Sequence, residues 1–140
     1  MVAVIFLVAA VFSTVQCEMM GGWKEQNASD PEYMEKAWKS MNVLNDNASN
    51  NGPYHWMPIK VLSAKSQVVA GAKHEMEVLV GESSTKKGEV SATEFDSSNA
   101  QLKDNHQRAL YKVTLWEKPW ENFEQFNVDK IRTVEASEQF

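Results

Sequence analysis

Cysteine is almost missing from this chain: Cys17 is the single one among 140 residues. A bridge needs two, so no disulfide within the chain supports the fold, and a packed core has to do so. Basic residues are outnumbered, with 14 Lys and Arg against 19 Asp and Glu and a formal net charge of −5. A nucleic acid or an anionic membrane needs a basic face on its partner, so neither is expected. Catalytic signatures are missing as well: there is no HExxH, no GxSxG turn and no phosphate-binding glycine loop. His55, His74 and His106 follow no metal-ligand spacing and read as scattered surface histidines. No internal repeat is present. These absences point away from an enzyme and call for no metal and no cofactor.

Charged side chains are missing from residues 1–17, where only the terminal amine carries charge, and Met1 to Phe12 is an unbroken apolar run. Twelve helical residues reach about 18 Å, against about 30 Å of bilayer hydrocarbon. The run is too short to span and reads as the apolar centre of a secretory signal, although no Lys or Arg precedes it. A cut after Cys17 puts Val15 and Cys17 at the small-residue positions; a cut after Ser13 is the other choice, and a retained anchor or a buried strand is the alternative. The first reading leaves one secreted domain, 18–140, with no cysteine, no catalytic thiol and no membrane segment.

What is there has the order of an α+β domain. SDPEYMEKAWKSMNVLN reads as one helix, capped by Asp30 ahead of Pro31, or by a box of Ser29 and Glu32. Met34, Ala37, Trp38, Met41 and Leu44 recur at helical spacing, and the turn-forming run from Asn45 to Gly52 ends the helix. Strand-like segments follow. Pro58–Ser66 has an inward face set by either Val61 or Leu62. Ala72–Val80 alternates Met76, Val78 and Val80 with Glu75, Glu77 and Leu79. Ala109–Trp116 alternates Tyr111, Val113 and Leu115 with polar residues, and Phe126–Val134 is a weaker last strand. The polar stretch between Gly81 and Arg108 has little periodicity and reads as a long mobile connection.

Three features carry functional information. Between the first two strand-like segments lies Gln67-Val68-Val69-Ala70-Gly71. A hairpin tip is normally built from Gly, Asn, Asp and Pro. An apolar tip makes sense if a partner covers it; otherwise the strands simply continue through a buried run. Lys118-Pro119-Trp120-Glu121 forms a second turn, with a tryptophan that serves either an interface or the core. Met19-Met20-Gly21-Gly22 would be a flexible apolar tip on a glycine hinge near the mature N-terminus.

In this order and spacing, from about Gly21 to Val134, the chain resembles the cystatin family. The resemblance implies an antiparallel sheet of about five strands wrapped around one long helix. It implies a secreted, tight-binding, reversible inhibitor of papain-like cysteine proteases (cathepsins) that occludes the active-site cleft. Met20, Gly21 and Gly22 would form the trunk on the non-primed side, with Met20 filling the second specificity subsite. Gln67, Val68, Val69, Ala70 and Gly71 would sit above the catalytic cysteine, and Pro119 and Trp120 would cover the primed side. The alternative is a secreted cystatin-fold binding or immunomodulatory protein with little protease inhibition.

Secreted cystatins usually carry two disulfides and this chain can form none, so it resembles a secreted form with the cysteine-free character of the stefins. Some relatives inhibit legumain through a Ser-Asn-Asp loop after the helix. Ser49-Asn50-Asn51 stands there instead, which implies weak legumain inhibition. Asn27-Ala28-Ser29 and Asn47-Ala48-Ser49 are N-glycosylation sequons, used or unused. The resemblance leaves open a dimer formed by swapping the helix and first strands through the Gln67–Gly71 turn.

Overall fold

The computed structural model describes residues 22–46 and 52–140. The expectations for residues 1–17, Met19, Met20, Gly21, Asn47, Ser49, Asn50 and Asn51 lie outside the described residues. The elements run β1 (Lys24–Gln26), α1 (Pro31–Asp46), β2 (Tyr54–Val69), β3 (Gly71–Lys86), β4 (Arg108–Lys118), a single 3-10 turn (Pro119–Glu121) and β5 (Phe123–Val134). They form one five-stranded sheet in chain order, and every neighbouring pair is antiparallel.

Asp30 caps the helix: its carboxylate accepts the Glu32 N–H at 3.0 Å, and its carbonyl accepts the Tyr33 N–H at 3.0 Å. Glu32 instead pairs with Lys36 at 2.9 Å, one turn on. At the other end Asn45 ties the helix to β2, accepting the Trp56 N–H at 2.7 Å and donating to the Trp56 carbonyl at 3.0 Å. The buried face comprises Tyr33, Ala37, Ser40, Met41, Leu44 and Asn45. Met34 and Trp38 are only half-buried, so the face is rotated slightly from the apolar stripe. Ser40 tolerates burial because its hydroxyl donates to the Ala37 carbonyl at 2.6 Å.

This face packs on Val61, Ala64, Met76, Val78, Val80, Ala109, Tyr111 and Val113. Val61 is therefore the inward residue of β2. Leu62 turns outward and joins Ile59, Leu79, Leu110 and Val134 in a second cluster across the sheet. A methyl group on Gly81 would lie 2.7 Å from Ile59 Cδ1 and 3.0 Å from both Leu102 and His106, so residues 102–106 lie over this second cluster.

That contact corrects the reading of the stretch after Gly81 as a mobile connection. β3 continues to Lys86, and the chain then folds back on it. The Glu82 N–H donates to the Gln107 carbonyl at 2.9 Å and the Ser84 N–H to the Gln101 carbonyl at 2.8 Å. Phe95 is only 3% exposed; it stacks on His55 with ring centres 4.8 Å apart and meets Trp38 at 5.7 Å. One aromatic residue in a polar run leaves no periodic signal, yet it docks the loop. The histidines are corrected as well, since His55 and His74 are buried and His106 half-buried. His55 Nε2 lies 2.6 Å from the Val90 carbonyl, so it takes part in the same docking.

Truncating a buried Phe removes its transfer energy and leaves a cavity. Phe95→Ala is expected to lower stability by about 3 kcal/mol in urea unfolding. A loss within measurement error would mean that residues 87–107 are not docked.

Candidate functional site

The long hairpin turns at Ala70. Val68 pairs with Ala72 and Val69 with Gly71 across the turn, which leaves Ala70 at the apex. Gly71 has φ +91°, a conformation open to glycine and strained for other residues. A Cβ there would lie 2.1 Å from the Glu117 carbonyl oxygen of β4. The glycine thus serves both the turn and the close approach of the next strand. Val68 is 68% exposed and Ala70 is exposed, with Gln67 and Val69 half-exposed. The apolar run is a tip and not a buried continuation.

The second reversal lies beside the first, because Ala72 pairs with Glu117 and Lys73 with Trp116. Pro119 opens the 3-10 turn, where its missing N–H loses no bond. Asn122 takes a left-handed conformation, φ 52°, and its N–H closes the turn on the Pro119 carbonyl at 3.2 Å. Pro119 is exposed and Trp120 is 67% exposed, which assigns Trp120 to the surface and not to the core.

β1 brings up the N-terminal segment. Lys24 pairs with Ser66 and Gln26 with Ala64, so Gly22, two residues further out, stands level with the start of the tip. Gly22 is exposed with nothing near its Cα on the side-chain side. Trp23 went unnoticed in the sequence. It is 42% exposed, and the Lys65 ammonium lies 5.0 Å from its ring centre. Lys65 also pairs with Glu75 at 2.8 Å, as does Lys112 at 2.8 Å. Burial alone would raise the Glu75 pKa; bonds from the two ammonium groups outweigh it and hold the carboxyl below its usual range. Asn27, just beyond β1, is exposed in the turn before the helix.

Of five large apolar side chains left exposed among the described residues, Trp23, Val68 and Trp120 lie at this one end. Beneath them runs a polar tie that the sequence also concealed. His74 Nδ1 lies 3.4 Å from the Tyr33 hydroxyl and its Nε2 lies 3.1 Å from Glu117 Oε1. Helix, β3 and β4 are thus linked directly below the two turns. Burial, helped by the Glu32 carboxylate, raises the Tyr33 pKa, so the phenol stays neutral. Trp116 is the other missed residue: its indole N–H donates to the Ala70 carbonyl at 2.9 Å. Among the described residues no three His, Cys, Asp or Glu side chains gather where an ion would be held. What this end presents is apolar area on short, braced turns, a surface for binding.

Gly71→Ala adds a side chain at a positive φ, against a carbonyl. It is expected to lower stability by roughly 1–3 kcal/mol, measured by urea unfolding. Unchanged stability would mean that the tip does not need this backbone conformation.

A family profile described as the cystatin domain matches residues 21–133. Cystatin cpi-1 of Caenorhabditis elegans is 45% identical over 139 residues, covering 99% of this chain and 97% of its own length. The crystal structure of Al-CPI superposes with a TM-score of 0.67 at 32% identity, covering 81% of this chain and 100% of that one. The structure of dimeric human cystatin F superposes with a TM-score of 0.70 over 93% of this chain and 98% of its own. At 19% identity that last likeness speaks for the fold alone. The chain belongs to the cystatin family, a family of cysteine protease inhibitors and not of enzymes.

Proposed function

We propose that this protein is a tight-binding, reversible inhibitor of papain-like cysteine proteases such as cathepsins. It acts by filling the active-site cleft with the N-terminal segment around Met20, Gly21 and Gly22 and with the turns at Gln67–Gly71 and Pro119–Trp120. One observation carries the reading: Trp23, Val68 and Trp120 remain exposed together at one end of the sheet. Leaving that much apolar area in water is unfavourable, and a complementary cleft would remove it from solvent. The mechanism is occlusion. No scissile peptide need be presented to the protease thiolate, so the inhibitor leaves intact.

The protein is read as secreted, with residues 1–17 removed and 18–140 acting as one inhibitor domain. Asn27 would then be open to glycosylation, since its sequon lies on an exposed turn. Its position beyond the Gln26–Ala64 pair keeps a glycan several residues along the sheet from the tips. Legumain inhibition through Ser49-Asn50-Asn51 is expected to be weak, because an amide at Asn51 replaces the charge of a carboxylate. A swapped dimer through the Ala70 turn is a further assembly state of the same domain.

The first test is titration of papain with the whole mature chain. Loss of activity near one equivalent, with the inhibitor recovered uncleaved, is the expected result. Unchanged activity would leave a cystatin fold that serves binding alone. Trp120→Ala is expected to weaken inhibition by about 2–4 kcal/mol, roughly thirty- to a thousand-fold. The change should lie mostly in the dissociation rate, with little effect on melting temperature. Unaltered inhibition would remove Trp120 from the contact surface.

A further inference from the structure

Trp116 lies between the two turns and touches both. Its indole N–H donates to the carbonyl of Ala70, the apex of the first turn, at 2.9 Å across 46 residues of sequence. On the flank of that turn, the Lys73 ammonium lies 5.3 Å from the indole centre. The second turn meets the same ring from both of its legs. Lys118, just before Pro119, places its ammonium 4.5 Å from the ring centre. Phe123, the first residue of β5, packs edge-on with ring centres 5.2 Å apart at 76°. Lys118 also lies 5.1 Å from the Phe123 ring, which closes the cluster. Tyr111 and Val113 on the same strand pack in the helix core, so by alternation Trp116 stands on the other face of the sheet, behind the tips.

We infer that Trp116 is a positioning residue: it couples the Ala70 turn to the Pro119–Glu121 turn and so holds both in the geometry the protease meets. This inference rests on the protease-binding reading of the two turns. Turns that sample other arrangements must be ordered on binding, and the apparent affinity falls with the fraction already competent. A single hydrogen bond to an exposed carbonyl is modest. Its loss corresponds to about a five- to tenfold change in a two-state population. The two ammonium groups add a ring contact that a phenylalanine would largely keep. The hydrogen bond is therefore the separable part.

Trp116→Phe isolates it. The full chain carrying this change is compared with wild type and with Trp120→Ala in papain inhibition kinetics, thermal melting and NMR amide exchange. Papain inhibition is expected to weaken about five- to tenfold, chiefly through slower association, because fewer molecules hold both turns ready. Melting temperature is expected to stay near that of wild type, while the Gly71 amide exchanges faster. In wild type, the Trp116 indole proton is expected to exchange more slowly than that of Trp120. An indole proton on Trp116 that exchanges as fast as that of Trp120 would overturn the inference without any variant. Normal inhibition by Trp116→Phe alongside weakened inhibition by Trp120→Ala would overturn it and leave the protease reading standing. If both variants inhibit normally, the second turn lies outside the contact surface and the inference falls, while inhibition itself stands; only a wild type that leaves papain active would remove the protease reading. Lost inhibition with a collapsed melting temperature and unchanged relative exchange at Gly71 would make Trp116 a residue of the fold only.

Discussion

Ala37, Met41 and Leu44 of the helix meet Met76, Val78, Val80 and Val113 of the sheet in one buried layer. That layer does more than hold a chain without disulfides together. On β3 it sets which residue faces inward, and a slip of one residue would bring Glu75, Glu77 and Leu79 to the core instead. Burying two carboxylates there is costly enough to exclude the alternative. With the register fixed, the β2–β3 turn falls at Ala70, Gly71 meets Glu117, and β4 ends beside it. The same antiparallel order brings the start of β1 to that end of the sheet. Packing in the core therefore determines which side chains stand together at the rim.

The rim itself is a compromise between exposure and order. Its apolar residues gain nothing from water, yet the backbone beneath them is tightly constrained. Gly71 accepts a positive φ, Asn122 does the same at the second turn, and Pro119 fixes its own φ. Below, the Tyr33–His74–Glu117 tie links the helix to β3 and β4. The proposed inhibition would need no proton transfer and no nucleophile, only surface held in shape before the partner arrives. Such preorganisation lowers the ordering cost of association, which otherwise cancels much of what buried area contributes.

Much of this was legible in the residues themselves. The helix and the alternation of Met76, Val78 and Val80 follow from local patterns, while the choice of Asp30 as cap and of an exposed tip closed by Gly71 over a buried run needed the structure. The order of the motifs carried the resemblance to the family, and the resemblance implied the five-stranded sheet that the structure has. Other parts were hidden for physical reasons. Strands β2 and β3 run well past their apolar segments, because backbone pairing continues through polar residues such as Ser83 and Thr85. Their hydroxyls donate to the carbonyls of His55 and Asn99. Phe95, His55 and Trp38 come together from distant parts of the chain, a meeting no window of sequence displays. Trp116 looked like one more residue of an alternating strand; its partner carbonyl on Ala70 belongs to the backbone and leaves no mark in composition.

Under the proposed function one end of the sheet, and not the loop-covered opposite end, meets the protease. Amide hydrogen exchange of the chain alone and in complex with papain tests it most directly. Protection is predicted at residues 22–24, 67–71 and 118–123, with residues 87–107 exchanging as they do in the free protein. Protection confined to 87–107, or to the helix, with the three tips unchanged would contradict the account.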